Sequence, residues 1–139
     1  MADYLSKFLS NYFSVTDTGK FETLIQSCQA ESVIETFQHT EPDGSIKYGF
    51  GSTGTIHGIP PEGEECGELY AFYGELQKLI PPDDAVIVIE IGNEKLNYFT
   101  ACCTVITQAE IKSGDLDTLA LELARKMLNN PEFETQIDY

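Results

Sequence analysis

Basic side chains are scarce in this 139-residue chain. Lys and Arg together number 8 against 23 Asp and Glu, a net charge of −15, and Arg125 is the single arginine. Phosphate neutralisation needs clustered Lys and Arg, so direct binding of nucleic acid is excluded as an expectation. The same shortage disfavours docking on anionic lipid. Long hydrophobic runs are also missing. The longest, Ala85–Ile89, has the length of a strand and falls far short of the roughly 18 apolar residues of a membrane span. Met1–Phe13 has no basic n-region and no continuous apolar stretch, so it does not read as an export signal and a cytoplasmic location is expected.

Metal-site spacing is equally absent. The four cysteines, Cys28, Cys66, Cys102 and Cys103, form no C-x-x-C, and His39 and His57 stand at no zinc-site spacing from them. Reduced structural thiols are expected. No D-x-[DN]-x-[DN]-G loop occurs, and no cofactor is implied.

What is present suits one folded domain. The chain is 42% hydrophobic and 11% aromatic, enough apolar material to offset the entropy of ordering it. No linker, repeat or low-complexity tract divides residues 1–139, so a single acidic α+β domain is expected, with 129–139 a tail either frayed or pinned by Phe133 and Ile137. Tyr4, Leu5, Phe8, Leu9, Tyr12 and Phe13 follow i, i+1, i+4, i+5 spacing, which predicts a first helix over Met1–Phe13. Phe21, Leu24, Ile25 and Cys28 predict a second, ending near Ala30. The period then drops to two. Ser32–Thr40 and Ser45–Phe50 read as a hairpin around the turn Glu41-Pro42-Asp43-Gly44, with a third strand in Thr53–Ile59.

Cys66, Leu69, Tyr70, Tyr73, Leu76 and Ile80 mark a helix stopped by Pro81-Pro82. Ala85–Ile91 is apolar on both faces and reads as a central strand, turning at Gly92–Lys95 into Leu96–Thr107. Asp115 is a candidate N-cap for a last helix with its stripe at Leu116, Leu119, Ala120, Leu123, Met127 and Leu128. The predicted order is ααβββαββα, an antiparallel sheet with helices packed on one face. A strand apolar on both sides needs cover on both, from helices or from a second subunit, so a homodimer is one expectation.

Three places invite a functional reading. Gly49-Phe50-Gly51-Ser52-Thr53-Gly54 spells G-x-G-x-x-G, but Thr55–Pro60 cannot open the helix that a dinucleotide turn needs. A glycine-relaxed bend between strands is the plainer reading. His57 near Ser52, Thr53 and Thr55 raises a hydroxyl nucleophile with a histidine base, and the Gly49–Gly58 bend a small-ligand or enzymatic site. Tyr48, Phe50, Tyr70, Phe72, Tyr73, Tyr98 and Phe99 are available to line such a pocket, though aromatic residues at this periodicity more often build a core. His39 with Glu35, and the pairs Asp83-Asp84, Glu64-Glu65 and Asp115/Asp117, read as surface or turn groups. No catalytic residue is assigned.

Charge distribution is the third. From Tyr48 through Gln77 there is no basic residue, while Glu62, Glu64, Glu65, Glu68 and Glu75 accumulate. Solvation can balance such a cluster. Two functional alternatives stand beside it: a Ca²⁺ site formed by Glu62, Glu64, Glu65 and Glu68, with Asp83-Asp84 as possible additional ligands, or a surface that steers a basic protein partner. The expected function is a non-enzymatic, inhibitor-type interaction protein that binds a basic protein through Glu62, Glu64, Glu65, Glu68 and Glu75.

Overall fold

A computed structural model describes residues 4–94 and 98–135. Its main element is a six-stranded antiparallel sheet. The strands are β1 (Tyr4–Ser10), β3 (Glu35–Thr40), β4 (Ile46–Ser52), β6 (Val86–Glu94), β7 (Tyr98–Ile106) and β8 (Ile111–Asp115), in the spatial order β3-β4-β1-β6-β7-β8. The short strands β2 (Gln29–Ala30) and β5 (Ile56–Gly58) pair separately. The helices are α1 (Thr18–Ser27), α2 (Leu69–Gln77) and α3 (Leu116–Leu128). The α+β class with an antiparallel sheet is as the periodicity predicts.

The first segment is a correction. Met1–Phe13 is expected as a helix, yet Tyr4–Ser10 is strand β1, inserted between β4 and β6. Its apolar residues come in doublets every four positions, and that spacing satisfies two geometries. In a helix it makes a broad stripe. In a strand it puts one residue of each doublet on each face, as Phe8 and Leu9 show: Phe8 is buried and Leu9 exposed. Side chains continue the pairing past the strand's end. Asn11 donates its amide to Ala85 O (3.1 Å) and accepts from Ile87 N (2.8 Å), while Ser10 Oγ accepts from Phe50 N (2.8 Å).

The core fills the face covered by α1 and α2. Phe21, Leu24 and Ile25 of α1 and Phe72, Tyr73 and Leu76 of α2 descend onto Phe8, Phe50, Val86, Val88 and Ile106. A chain of edge-on rings ties these elements together. Phe21–Phe13 (5.7 Å), Phe13–Phe50 (6.2 Å) and Phe50–Phe72 (5.6 Å) all meet near perpendicular, the arrangement that ring quadrupoles favour.

Side-chain caps define the helix starts. Asp17 Oδ1 accepts from Lys20 N (3.1 Å) for α1, and Asp115 Oδ1 from Thr118 N (2.6 Å) for α3, as its position in the sequence predicts. Asn129, in the left-handed region at φ 50°, ends α3. The segment after it is tied down rather than frayed: Arg125 donates to Phe133 O (2.9 Å) and pairs with Glu134 (2.7 Å). Ile137, expected to help pin the tail, lies outside the described residues.

β8 and β2 have no counterpart in the periodicity. Ile-Lys-Ser-Gly-Asp has the composition of a turn but pairs along β7 from Ile106↔Ile111 to Cys102↔Asp115. Because β8 occupies the sheet edge, α3 leaves from that edge and packs on β7 and β8. No α3 residue is buried.

Candidate functional site

The acidic loop joins β5 to α2 and is built from backbone contacts. Gly58 has φ +104°, and a Cβ there would stand 2.1 Å from Glu68 O, so the two ends of the loop touch at a point only glycine permits. Gly67 lies against Gly58 in the same way, with a Cβ 2.6 Å from Gly58 O. Glu68 N donates to Ile59 O (2.8 Å), and Glu64 N to Pro61 O (2.9 Å) across a turn that uses Gly63 at φ +83°. Gln29 of β2 clamps the far side, accepting from Gly67 N (2.9 Å) and donating to Glu65 O (3.3 Å).

Glu62, Glu64, Glu65 and Glu68 all lie exposed on this braced frame. None of the four forms an ion pair among the described residues. Glu75 does not join them. It sits on α2 and pairs with Lys78 at 3.1 Å, beside the groove between α1 and α2. The calcium reading finds no support in this geometry. Among the described residues no three His, Cys, Asp or Glu side chains converge to hold a metal ion, and the Gly-spaced carboxylates point outward into solvent instead of inward. Asp84 is engaged elsewhere, accepting from Ser14 N (2.8 Å) and Ala85 N (2.8 Å).

The Gly49–Gly58 bend does not assemble a catalytic group. Ser52 is buried with its hydroxyl accepting from Gly54 N (3.2 Å), and Thr55 shares a hydrogen bond with Ser6. His57 is exposed on β5 and makes no hydrogen bond among the described residues. The aromatic residues divide between core and surface: Phe50, Phe72 and Tyr73 are buried, while Tyr70 lies exposed. Burial, helped by Glu90, pushes the Tyr73 phenol far above its ordinary value, so it stays neutral. Tyr98 and Phe99 have side chains outside the description. His39 packs its ring 5.3 Å from that of Tyr12 rather than pairing with Glu35.

The G-x-G part of the glycine motif has a packing role. Gly49 and Gly51 lie on β4 under the ring of Phe37, at 3.5 Å from where each Cβ would stand. A Cβ on Gly51 would also come 2.9 Å from Phe8 O and 3.3 Å from Leu9 Cδ1. The glycines thus lower the sheet surface and leave a trough of 380 Å³, walled by Val33 and Phe37 on one side and Ile89 and Ile91 on the other.

That trough belongs to the sheet face opposite α1 and α2, and this face is where the sequence reading missed most. Leu9, Ile87, Ile89 and Ile91 project from it and remain exposed. Ile89 also lines a second apolar cleft, of 190 Å³, with Cys103, Leu116 and Leu119. The two hollows therefore form one band from Val33 to the start of α3. Leu123 (50%) and Met127 (86%) continue the apolar side of α3 into solvent. The available signal was Ala85–Ile89, apolar at successive positions, with Ile91 continuing one face. No family model matches the chain, and no curated protein or solved structure gives a significant match.

Proposed function

We propose that this protein is a non-enzymatic interaction protein whose acidic loop binds a basic protein surface. The observation that carries the reading is the bracing of the loop. Glu62, Glu64, Glu65 and Glu68 are held on a frame of glycine contacts and backbone hydrogen bonds, exposed and, among the described residues, without ion-pair partners. A pre-ordered set of like charges loses little entropy on meeting a complementary surface, and it accelerates encounter with a partner of opposite sign. Glu75, neutralised by Lys78, lies outside this surface and contributes little.

The test is capture from native cytosol at low and at high salt, with the wild-type protein and with a variant carrying Glu62→Gln, Glu64→Gln, Glu65→Gln and Glu68→Gln. A basic partner retained by the wild type at about 0.1 M salt and lost by the variant supports the reading. Screening over a Debye length of about 10 Å should release the same partner at high salt. Equal retention by both proteins refutes it.

A further inference from the structure

The bare sheet face and the bare side of α3 are complementary halves of one surface. A helix apolar over so wide an arc is stable only when that arc is covered. Leu116 and Leu119 reach β7 and β8 of their own chain, yet α3 buries no residue, and beyond them Leu123 stays half exposed and Met127 almost wholly so. Across the sheet, the glycine-floored trough is a groove without a ridge. The exposed parts of Leu9, Ile87, Ile89 and Ile91 and of the five exposed large apolar side chains of α3 sum to roughly 900 Å², close to the ~800 Å² that each partner brings to a standard interface.

Charge identifies the occupant. Two copies at −15 each repel over most of their surface. On this face, however, Lys7 stands with Glu35, while Lys47 and Lys112 pair with Glu41 and Glu110, so its charges nearly cancel. It is the side on which a second copy can approach. We propose that the protein is a homodimer in which α3 of each protomer lies in the trough of the other. The arrangement is isologous: one two-fold axis places both helices in both grooves and closes the assembly. The acidic loops lead into α2, on the opposite face of each sheet, and stay free, so the dimer stands or falls independently of the acidic-loop reading.

Sedimentation equilibrium of the full chain at 5–100 µM (about tenfold below to about twofold above a ~50 µM working concentration) in 0.5 M NaCl tests the proposal. The expected mass is twice 15.4 kDa. Ile89→Lys and Leu123→Glu should each give the single-chain mass with unchanged far-ultraviolet circular dichroism, and mixing the two variants should restore the dimer by placing Lys against Glu. Met127→Asp, at an 86% exposed position outside the core, should weaken association at least tenfold. A wild-type monomer at the highest concentration overturns the proposal. So does a dimer that survives all three substitutions, or a pair of monomeric variants that stays monomeric when mixed.

Discussion

The two faces of the central sheet are made from alternate residues of the same strands, yet they end in opposite conditions. On β6, Val86 and Val88 are sealed under α1 and α2, while their neighbours Ile87, Ile89 and Ile91 stand in the open, Ile91 at 53%. Residue type does not separate them, since both sets are β-branched and fully apolar. What separates them is cover. α1 and α2 supply aromatic side chains to one face, whereas α3 reaches only the β7–β8 edge of the other. Hydrophobic composition therefore records where burial is required, and the topology of a single chain decides where it is met.

Core truncation should break this contrast most sharply. Phe50 is fully buried among Phe13 and Phe72, so Phe50→Ala should lower stability by about 4 kcal/mol through lost transfer energy and the cavity left behind. Ile89→Ala, on the bare face, should remove about 1 kcal/mol or less from a single chain. Urea unfolding in a monomeric Leu123→Glu background measures both. Equal losses at the two positions would mean that the faces are equivalent.

Glycines sharpen the comparison at the next level. Gly58→Ala puts a side chain at φ +104° and into the Glu68 carbonyl, and it should cost about 3 kcal/mol from backbone strain and overpacking together. Gly114→Ala, on the bare-face side of β8, meets no atom within 4 Å. It should be neutral, or stabilising by about 0.5 kcal/mol through the unfolded chain. Thermal unfolding of the two variants beside the wild type gives the ordering, and a tolerated Gly58→Ala would show that the loop ends do not meet as described.

How far the sequence revealed these regions follows from the same physics. The β3–β4 hairpin, α2 and β6 were legible because each has one period and one strong punctuation, Asp43-Gly44 or Pro81-Pro82. β1 was not, because doublets at every fourth residue satisfy a helix stripe and a two-sided strand equally, and only the partners β4 and β6 choose between them. β8 was hidden by turn-forming Ser113-Gly114-Asp115, which a neighbouring strand can still recruit. The acidic loop was visible as a charge run. Its bracing by Gln29, some 36 residues from the Glu65 carbonyl, is a tertiary contact with no local signature. The glycine motif is followed by strand β5 and not by a helix, as Thr55–Pro60 predicts, but its use as a trough floor depends on Phe37 lying across it.

Acid should reach α3 before it reaches the covered core. The Asp115 carboxyl accepts from the Thr118 backbone amide and from its hydroxyl, which holds it below the usual carboxylate range. A carboxyl depressed in the folded state stabilises fully above its ordinary range and loses that contribution as pH falls through the folded value. Helical circular dichroism should therefore decline in acid while aromatic signals from the Phe13–Phe50–Phe72 cluster persist. Asp115→Asn keeps a capping oxygen and removes the titration, so its helical signal should be flatter over the same range. An identical acid response from both proteins would remove the cap from the account.

The smallest effect is a matter of rates, and it separates two adjacent residues. Cys102 and Cys103 point to opposite faces: Cys102 lies beside Glu90 on the helix-covered side, and Cys103 lines the cleft under α3. Burial, with Glu90 adding to it, pushes the Cys102 thiol up to about 11, and burial does the same for Cys28 although the Gly58 amide opposes it. Near pH 8 each should carry roughly a hundredth of the thiolate of an ordinary cysteine and alkylate correspondingly slowly. Cys66, exposed on the acidic loop, should react first, and Cys103 should react ahead of Cys102. Peptide mass spectrometry over an iodoacetamide time course resolves all four. If α3 of a second copy closes the bare face, Cys103 should label faster in Met127→Asp than in the wild type, with Cys102 unchanged. Parallel acceleration of both would instead mean that the substitution loosens the whole sheet, and the two faces would lose their distinction.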